Sequence, residues 1–225
     1  MTKPRKELER LDPGRTIAFS DGVVAIAITI LILPLVAIEL PKSADQTNPL
    51  GYVWLQNGPL IASFLITWVV IITFWMTHHR IFRNFESINQ AVVGWNILWV
   101  FAIIVLPFPM NLLYQVESKG SILDADRQVV TFYIGTMAVI SFAMSMINRQ
   151  AIRHPQLLTE EAHTRGIGES SVIGWTFSVY LILLTLCAIA FPNIALYGLF
   201  GLWVLPNAAE AIRSRAASKK QASTT

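Results

Sequence analysis

The chain has 225 residues, of which 54% are hydrophobic and only 14% charged, and its mean hydropathy is +0.53. That balance argues against a soluble domain and makes lipid the expected solvent. The net charge of +3 does not signal nucleic acid, because Lys and Arg are scattered in short segments between apolar runs, as in loops bordering a membrane.

Taken in chain order, six apolar runs approach the roughly 20 residues that a spanning helix needs. They cover about 16–39, 52–77, 91–114, 129–148, 172–191 and 193–209. The N-terminus is basic and then apolar, like a signal peptide. The run nevertheless continues to Ile38, carries Asp21 near its start and lacks a small-x-small cleavage site, so it reads as a retained first span. The sixth run is short and is separated from the fifth only by Pro192, so a tilted pair or a partly embedded hairpin stays open there.

Of the 17 Lys and Arg residues, 14 fall before Asp21, after the second run, between the fourth and fifth, or at the C-terminus. The positive-inside rule then predicts cytoplasmic N- and C-termini, consistent with an even number of spans. The expected fold is an all-α integral membrane protein with six transmembrane helices. Residues 1–209 would form one transmembrane unit and 210–225 a basic, disordered cytoplasmic tail. The single cysteine, Cys187, lies in an apolar run and is expected to be a small buried thiol.

Span one opens with RTIAFSDGVV, which places Arg15, Ser20 and Asp21 where charge and hydroxyls are expensive. Asp21 is expected roughly 7.5 Å above the cytoplasmic end of the helix. Span two runs back and ends in FWMTHHRIF, which brings Trp75, His78 and His79 to a similar depth, and Asn96 of span three is five residues into its run. Polar groups at one level in hydrocarbon are expected to find one another or water. Three readings are open: a buried interhelical network, an interfacial cap, or a metal or catalytic site.

At about 100° per residue, Arg15, Phe19, Gly22, Ile26, Ile30 and Leu33 lie within about 40° of Ile26, and Thr29 about 60° away. Ser20 and Asp21 fall more than about 100° from that stripe. One face of the helix is therefore aliphatic and free to meet lipid, a partner subunit or a pore.

The motif Arg15-x-x-x-Phe19-Ser20-Asp21, the Trp75-x-x-His78-His79 element, Asn96 and the Pro107-Phe108-Pro109 triplet resemble the transmembrane protein 175 family of potassium channels. The likeness is to its prokaryotic branch, with one six-helix unit per chain, and it covers the first half of the sequence. It implies a homotetramer in the cell membrane whose first helices line a potassium path, with no TVGYG filter; no TVGYG occurs here. Carried over by position, Ile26 becomes the constriction, Ile30 and Leu33 further hydrophobic rings, and Thr29 a residue tied to potassium preference. The motif residues Arg15, Phe19, Ser20, Asp21, Trp75, His78, His79 and Asn96 would hold the first helix against its neighbours. Pro34 departs from the acidic residue expected nearby, and two outcomes are open for it: a kink near the outer end of span one, or an end to the narrow part of the path.

The resemblance implies no enzyme activity, no cofactor, no tightly bound metal and no nucleic-acid partner. Potassium ions, membrane lipid and further copies of the chain are the expected partners. Two alternatives are weighed beside it. A metal-dependent membrane hydrolase would use Asp21, His78 and His79, but adjacent His residues diverge by about 100° on a helix and no HExxH is present. A secondary transporter would want discontinuous helices or repeats around a midplane site, and the midplane charges also expected of one are missing from the sequence.

Overall fold

The structure, a computed structural model, describes residues 11–40, 48–117, 127–164 and 170–202. Within them the regular elements are helices: α1 (Pro13–Leu31), α2 (Leu33–Val36), α3 (Pro49–Phe82), α4 (Gln90–Val105), α5 (Pro107–Glu117), α6 (Arg127–Arg153), α7 (Glu160–Thr164), α8 (Ser170–Ala190) and α9 (Pro192–Gly198).

The starts of the long helices are written in local chemistry. Asp12 Oδ1 accepts the Gly14 N–H at 2.9 Å, and Pro13 occupies the first turn of α1, where a missing N–H costs nothing. Asn48 and Asn89 cap α3 and α4 in the same way, through Gly51 N–H and Val92 N–H, each at 2.9 Å.

Prolines set the breaks. Pro34 has no N–H for the Ile30 carbonyl, and its ring crowds that turn, so α1 stops at Leu31 and α2 restarts after Ile32. Pro59 has the same effect inside α3, where Asn57 leaves helical geometry at φ −121° and ψ 17°. Pro107 separates α4 from α5 at Leu106. Spans one and three, expected as single runs, are therefore each built from two helices.

Among the described residues, four stretches are long and apolar enough to cross a membrane: Pro13–Val36, Pro49–Phe82, Gln90–Leu113 and Arg127–Arg153. The apolar stretch Gly174–Ala190 of α8, where the fifth span is expected, is shorter. At the expected sixth span, α9 ends at Gly198 and a turn follows; residues 203–209, like the tail 210–225, lie outside the described residues.

Burial differs sharply along the bundle. Of the four stretches, α6 is the most buried within the subunit, and Pro13–Val36 and α3 are the least. The centre of the subunit is therefore α6, with α4 and α8 packed on it, and α1 and α3 lie at its edge. Hydroxyls fasten α6 to α8: buried Ser178 Oγ lies 3.0 Å from Ser141 Oγ and 2.8 Å from Ser145 Oγ.

The Arg15 end of the bundle is closed by a small backbone ribbon. Leu11 and Ile88 exchange both hydrogen bonds, at 2.8 and 2.9 Å, and Phe85 pairs with Leu158 on the other side of the same loop. Beneath it lies a second apolar cluster, separate from the main core, that includes Phe82, Ile88, Val92, Ile147 and Leu157.

Candidate functional site

The face that α1 turns toward the subunit carries Ser20, Val24, Ala27 and Leu31, spaced three and four residues apart and all buried. Ser20 is the polar member, with two hydrogen-bond partners that begin a longer chain. Its hydroxyl donates to the Thr16 carbonyl one turn back at 2.9 Å. Its oxygen accepts the Asn96 Nδ2–H of α4 at 2.9 Å. The amide oxygen of Asn96, which can only accept, takes the Nε2–H of His78 on α3 at 2.7 Å. The result is a directed chain running His78, Asn96, Ser20, Thr16, which fixes the ring to the Nε2–H form and joins α3, α4 and α1.

Hydrocarbon offers this chain no competing water. Ser20 and His78 are fully buried and Asn96 is 2% exposed. The His78 ring lies between two aromatics, stacked on Phe82 at 4.3 Å and on Trp99 at 4.1 Å between centroids. A polar group sealed in this way is held firmly, because losing its partner strands it without solvent.

Asp21 faces the flank of α1 next to Ser20 and belongs to a second, shallower group. Its Oδ1 accepts the indole N–H of Trp75 at 2.8 Å, and His79 Nδ1 lies 3.5 Å from the same oxygen. The Trp75 and His79 rings are 5.0 Å apart. The Asp21 and His79 side chains are 37% and 45% exposed, so this pair meets the surroundings of the subunit while His78 does not. Adjacent His78 and His79 thus serve different partners on different sides of α3. Among the described residues no three His, Cys, Asp or Glu side chains converge as a metal site would require.

The other candidates lie on the opposite face of α1. Arg15, Phe19, Ile26, Thr29, Ile30 and Leu33 are all exposed in the isolated subunit, and Ala18, Gly22, Ala25, Ile32 and Val36 extend the same strip. Ile26 is 59% exposed and Leu33 57%. An aliphatic surface this continuous needs lipid or protein against it. Thr29 donates its hydroxyl to the Ile26 carbonyl at 2.8 Å, which satisfies the proton and leaves the oxygen lone pairs directed away from the helix.

The residues reasoned from sequence therefore separate into a buried chain (Ser20, His78, Asn96), a half-exposed cluster (Asp21, Trp75, His79) and an exposed strip (Arg15, Phe19, Ile26, Thr29, Ile30, Leu33). Sequence reasoning missed the aromatic walls of His78. Phe82 stands four residues after His78 and Trp99 three after Asn96, so helical spacing alone could have drawn both in.

A family model described as endosomal/lysosomal potassium channel TMEM175 matches residues 15–107, a range that contains every member of both polar groups. A potassium channel of Chamaesiphon minutus is 31% identical over 157 residues, covering 68% of this chain and 73% of the relative. Among solved structures, a lysosomal potassium-selective channel TMEM175 homolog from Chamaesiphon minutus aligns with a TM-score of 0.52 at 25% identity, over 84% of this chain and 96% of that one. A variant of the potassium channel MtTMEM175, solved with a nanobody–MBP fusion, has the similar fold, with a TM-score of 0.61 at 18% identity over 97% of this chain and 99% of that one.

Proposed function

Because the chain belongs to the TMEM175 family of potassium channels, we propose that it forms a potassium-permeable path in which α1 is the lining helix. The family is one of ion channels and not of enzymes, which removes the hydrolase alternative. The observation that carries the pore assignment is the division of α1: a buried face fixed to α3 and α4 through Ser20, and a free aliphatic face from Phe19 to Ile30 that continues into α2 at Leu33.

Four copies around an axis would bring four Ile26 side chains together. An ion entering a dry aliphatic neck sheds hydration water without gaining ligands, so such a ring closes the path without any bulky plug. Ile30 and Leu33, one and two turns outward, form further rings, and the break at Ile32 ends the straight part of the lining. Thr29 stands between the first two rings, with its oxygen lone pairs available to replace hydration water once the neck opens. Selectivity then rests on hydroxyls in place of the carbonyl filter of TVGYG channels. The Ser20–Asn96–His78 chain and the Asp21–Trp75 bond fix the rotation of α1, and so decide that Ile26 points to the axis.

The subunit is a homotetramer protomer with six spans, both termini in the cytoplasm and a transmembrane unit over residues 1–209, placed in the cell membrane with lipid around it. The test is a bilayer recording of purified protein under opposed potassium and sodium gradients. Unitary currents reversing near the potassium equilibrium potential are expected. Saturable, gradient-coupled uptake without unitary currents would instead identify a transporter and overturn the pore assignment.

A further inference from the structure

The ribbon at the Arg15 end joins two bodies of unequal anchorage. On one side is Leu11, followed without slack by α1: Asp12 caps the helix through Gly14 N–H at 2.9 Å, and Pro13 fixes the next backbone angle. On the other side is Ile88, fully buried in the cluster that holds the ends of α3 and α6 together. The two bodies meet in the reciprocal backbone pair, Leu11 N–H to Ile88 oxygen at 2.8 Å and Ile88 N–H to Leu11 oxygen at 2.9 Å, and the Leu11 and Ile17 side chains pack on the Ile88 cluster.

A third segment stiffens the Ile88 side. Leu157 oxygen accepts the N–H groups of Glu86 and Ser87 at 2.9 and 3.2 Å, and Thr159 N–H donates to Asn84 oxygen at 3.0 Å. The segment after α6 therefore straps the α3–α4 loop in place. Any tilt or spreading of the base of α1 against the core must part the Leu11–Ile88 pair. Further along, the Ser20–Asn96 and Asp21–Trp75 bonds and the buried Val24, Ala27 and Leu31 hold α1, so the Leu11–Ile88 pair governs the base of the helix.

We propose that the Leu11–Ile88 pair is a cytoplasmic latch on the lining helix, and that the strap at 157–159 sets how readily it opens. The proposal rests on α1 lining the path. Latched, the base of α1 is held to the core and the aliphatic neck stays closed. Released, α1 can spread. The strap gives the cytoplasmic segment 154–164 a route to the gate that does not pass through the Ser20–Asn96–His78 chain.

Two variants test it in opposite directions, read as potassium flux from proteoliposomes of the full chain at matched assembly. A hydrogen-bonded antiparallel pair has its Cα atoms about 5.5 Å apart, within reach of a disulfide. Leu11→Cys with Ile88→Cys, in a Cys187→Ala background, should lose flux about tenfold on oxidation and regain it on reduction, as locking a two-state element requires. Thr159→Pro deletes the N–H that reaches Asn84 while suiting the extended Leu158, at φ −92° and ψ 153°, and should raise flux severalfold. Complete cross-linking, verified by loss of free thiols, with unchanged flux would overturn the latch. So would a Thr159→Pro channel with wild-type or lower flux. Ile26→Asn is measured alongside: if it alters flux and the latch variants do not, the latch alone fails; if Ile26→Asn is also silent, the pore assignment fails.

Discussion

Asn96 holds Ser20 with one atom of its amide and His78 with the other, at 2.9 and 2.7 Å, so a single side chain on α4 ties α1 to α3. The two bonds are unequal in what their loss leaves behind. Ser20→Ala removes the acceptor of the Asn96 Nδ2–H but keeps the His78–Asn96 bond, so one interhelical hydrogen bond is lost, at roughly 1 kcal/mol. Asn96→Leu loses both interhelical bonds and strands the His78 Nε2–H in a dry site, at about 1–3 kcal/mol, while the Ser20 hydroxyl keeps its bond to the Thr16 carbonyl. Thermal unfolding in detergent should therefore rank wild type above Ser20→Ala and well above Asn96→Leu. Equal midpoints for the two variants would contradict the chain.

The second polar group predicts a different pattern. Trp75→Phe and Asp21→Ala each delete the same 2.8 Å bond, so the double variant should be little less stable than the worse single one. Asp21→Asn keeps an oxygen for the indole N–H and should sit between wild type and Asp21→Ala. Additive losses across the cycle would show that Trp75 and Asp21 act apart.

Much of this was legible in the sequence because membrane helices obey few rules and obey them strictly. Depth alone put Ser20, Asp21, His78, His79 and Asn96 at one level, and the 100° periodicity put Ile26 and Ser20 on different faces. Depth could not say which partner each would take. His78 and His79 are neighbours in sequence, yet one is sealed between Phe82 and Trp99 and the other is 45% exposed, a choice made by how α3 packs on α4. The ribbon at Leu11, Ile88 and Leu158 was invisible, since it joins residues far apart in sequence through backbone atoms that carry no residue signature. Pro34 did announce a kink, but the break falls at Ile32, two residues earlier, because the lost bond belongs to the preceding turn.

Thr29 offers a test of selectivity separable from stability. Its hydroxyl bonds only within α1, to the Ile26 carbonyl, so Thr29→Val should preserve helix and assembly while removing the oxygen proposed to face the ion. Single-channel conductance should persist and the reversal potential under opposed potassium and sodium gradients should move toward zero. An unchanged reversal potential would transfer selectivity to another ring.

The pore assignment itself is most exposed at Ile26, 59% exposed in the isolated subunit and placed by phase among Phe19, Ile30 and Leu33. Dewetting depends on the polarity of the ring more than on its volume, whereas lipid contact depends on neither in a way that alters current. A substitution series separates these. Ile26→Val keeps the surface aliphatic and should leave closed-state leak near wild type. Ile26→Asn, smaller than Ile26→Val but able to hold water, should raise it by an order of magnitude or more, since each 1.4 kcal/mol removed from the barrier is about tenfold in rate. Ile26→Ser, smaller and polar, should leak as Ile26→Asn does if polarity governs, whereas Ile26→Ala should leak equally if volume does. Potassium flux that follows side-chain volume across Val, Ala, Ser and Asn would mean a steric plug, and flux indifferent to all four would place Ile26 against lipid.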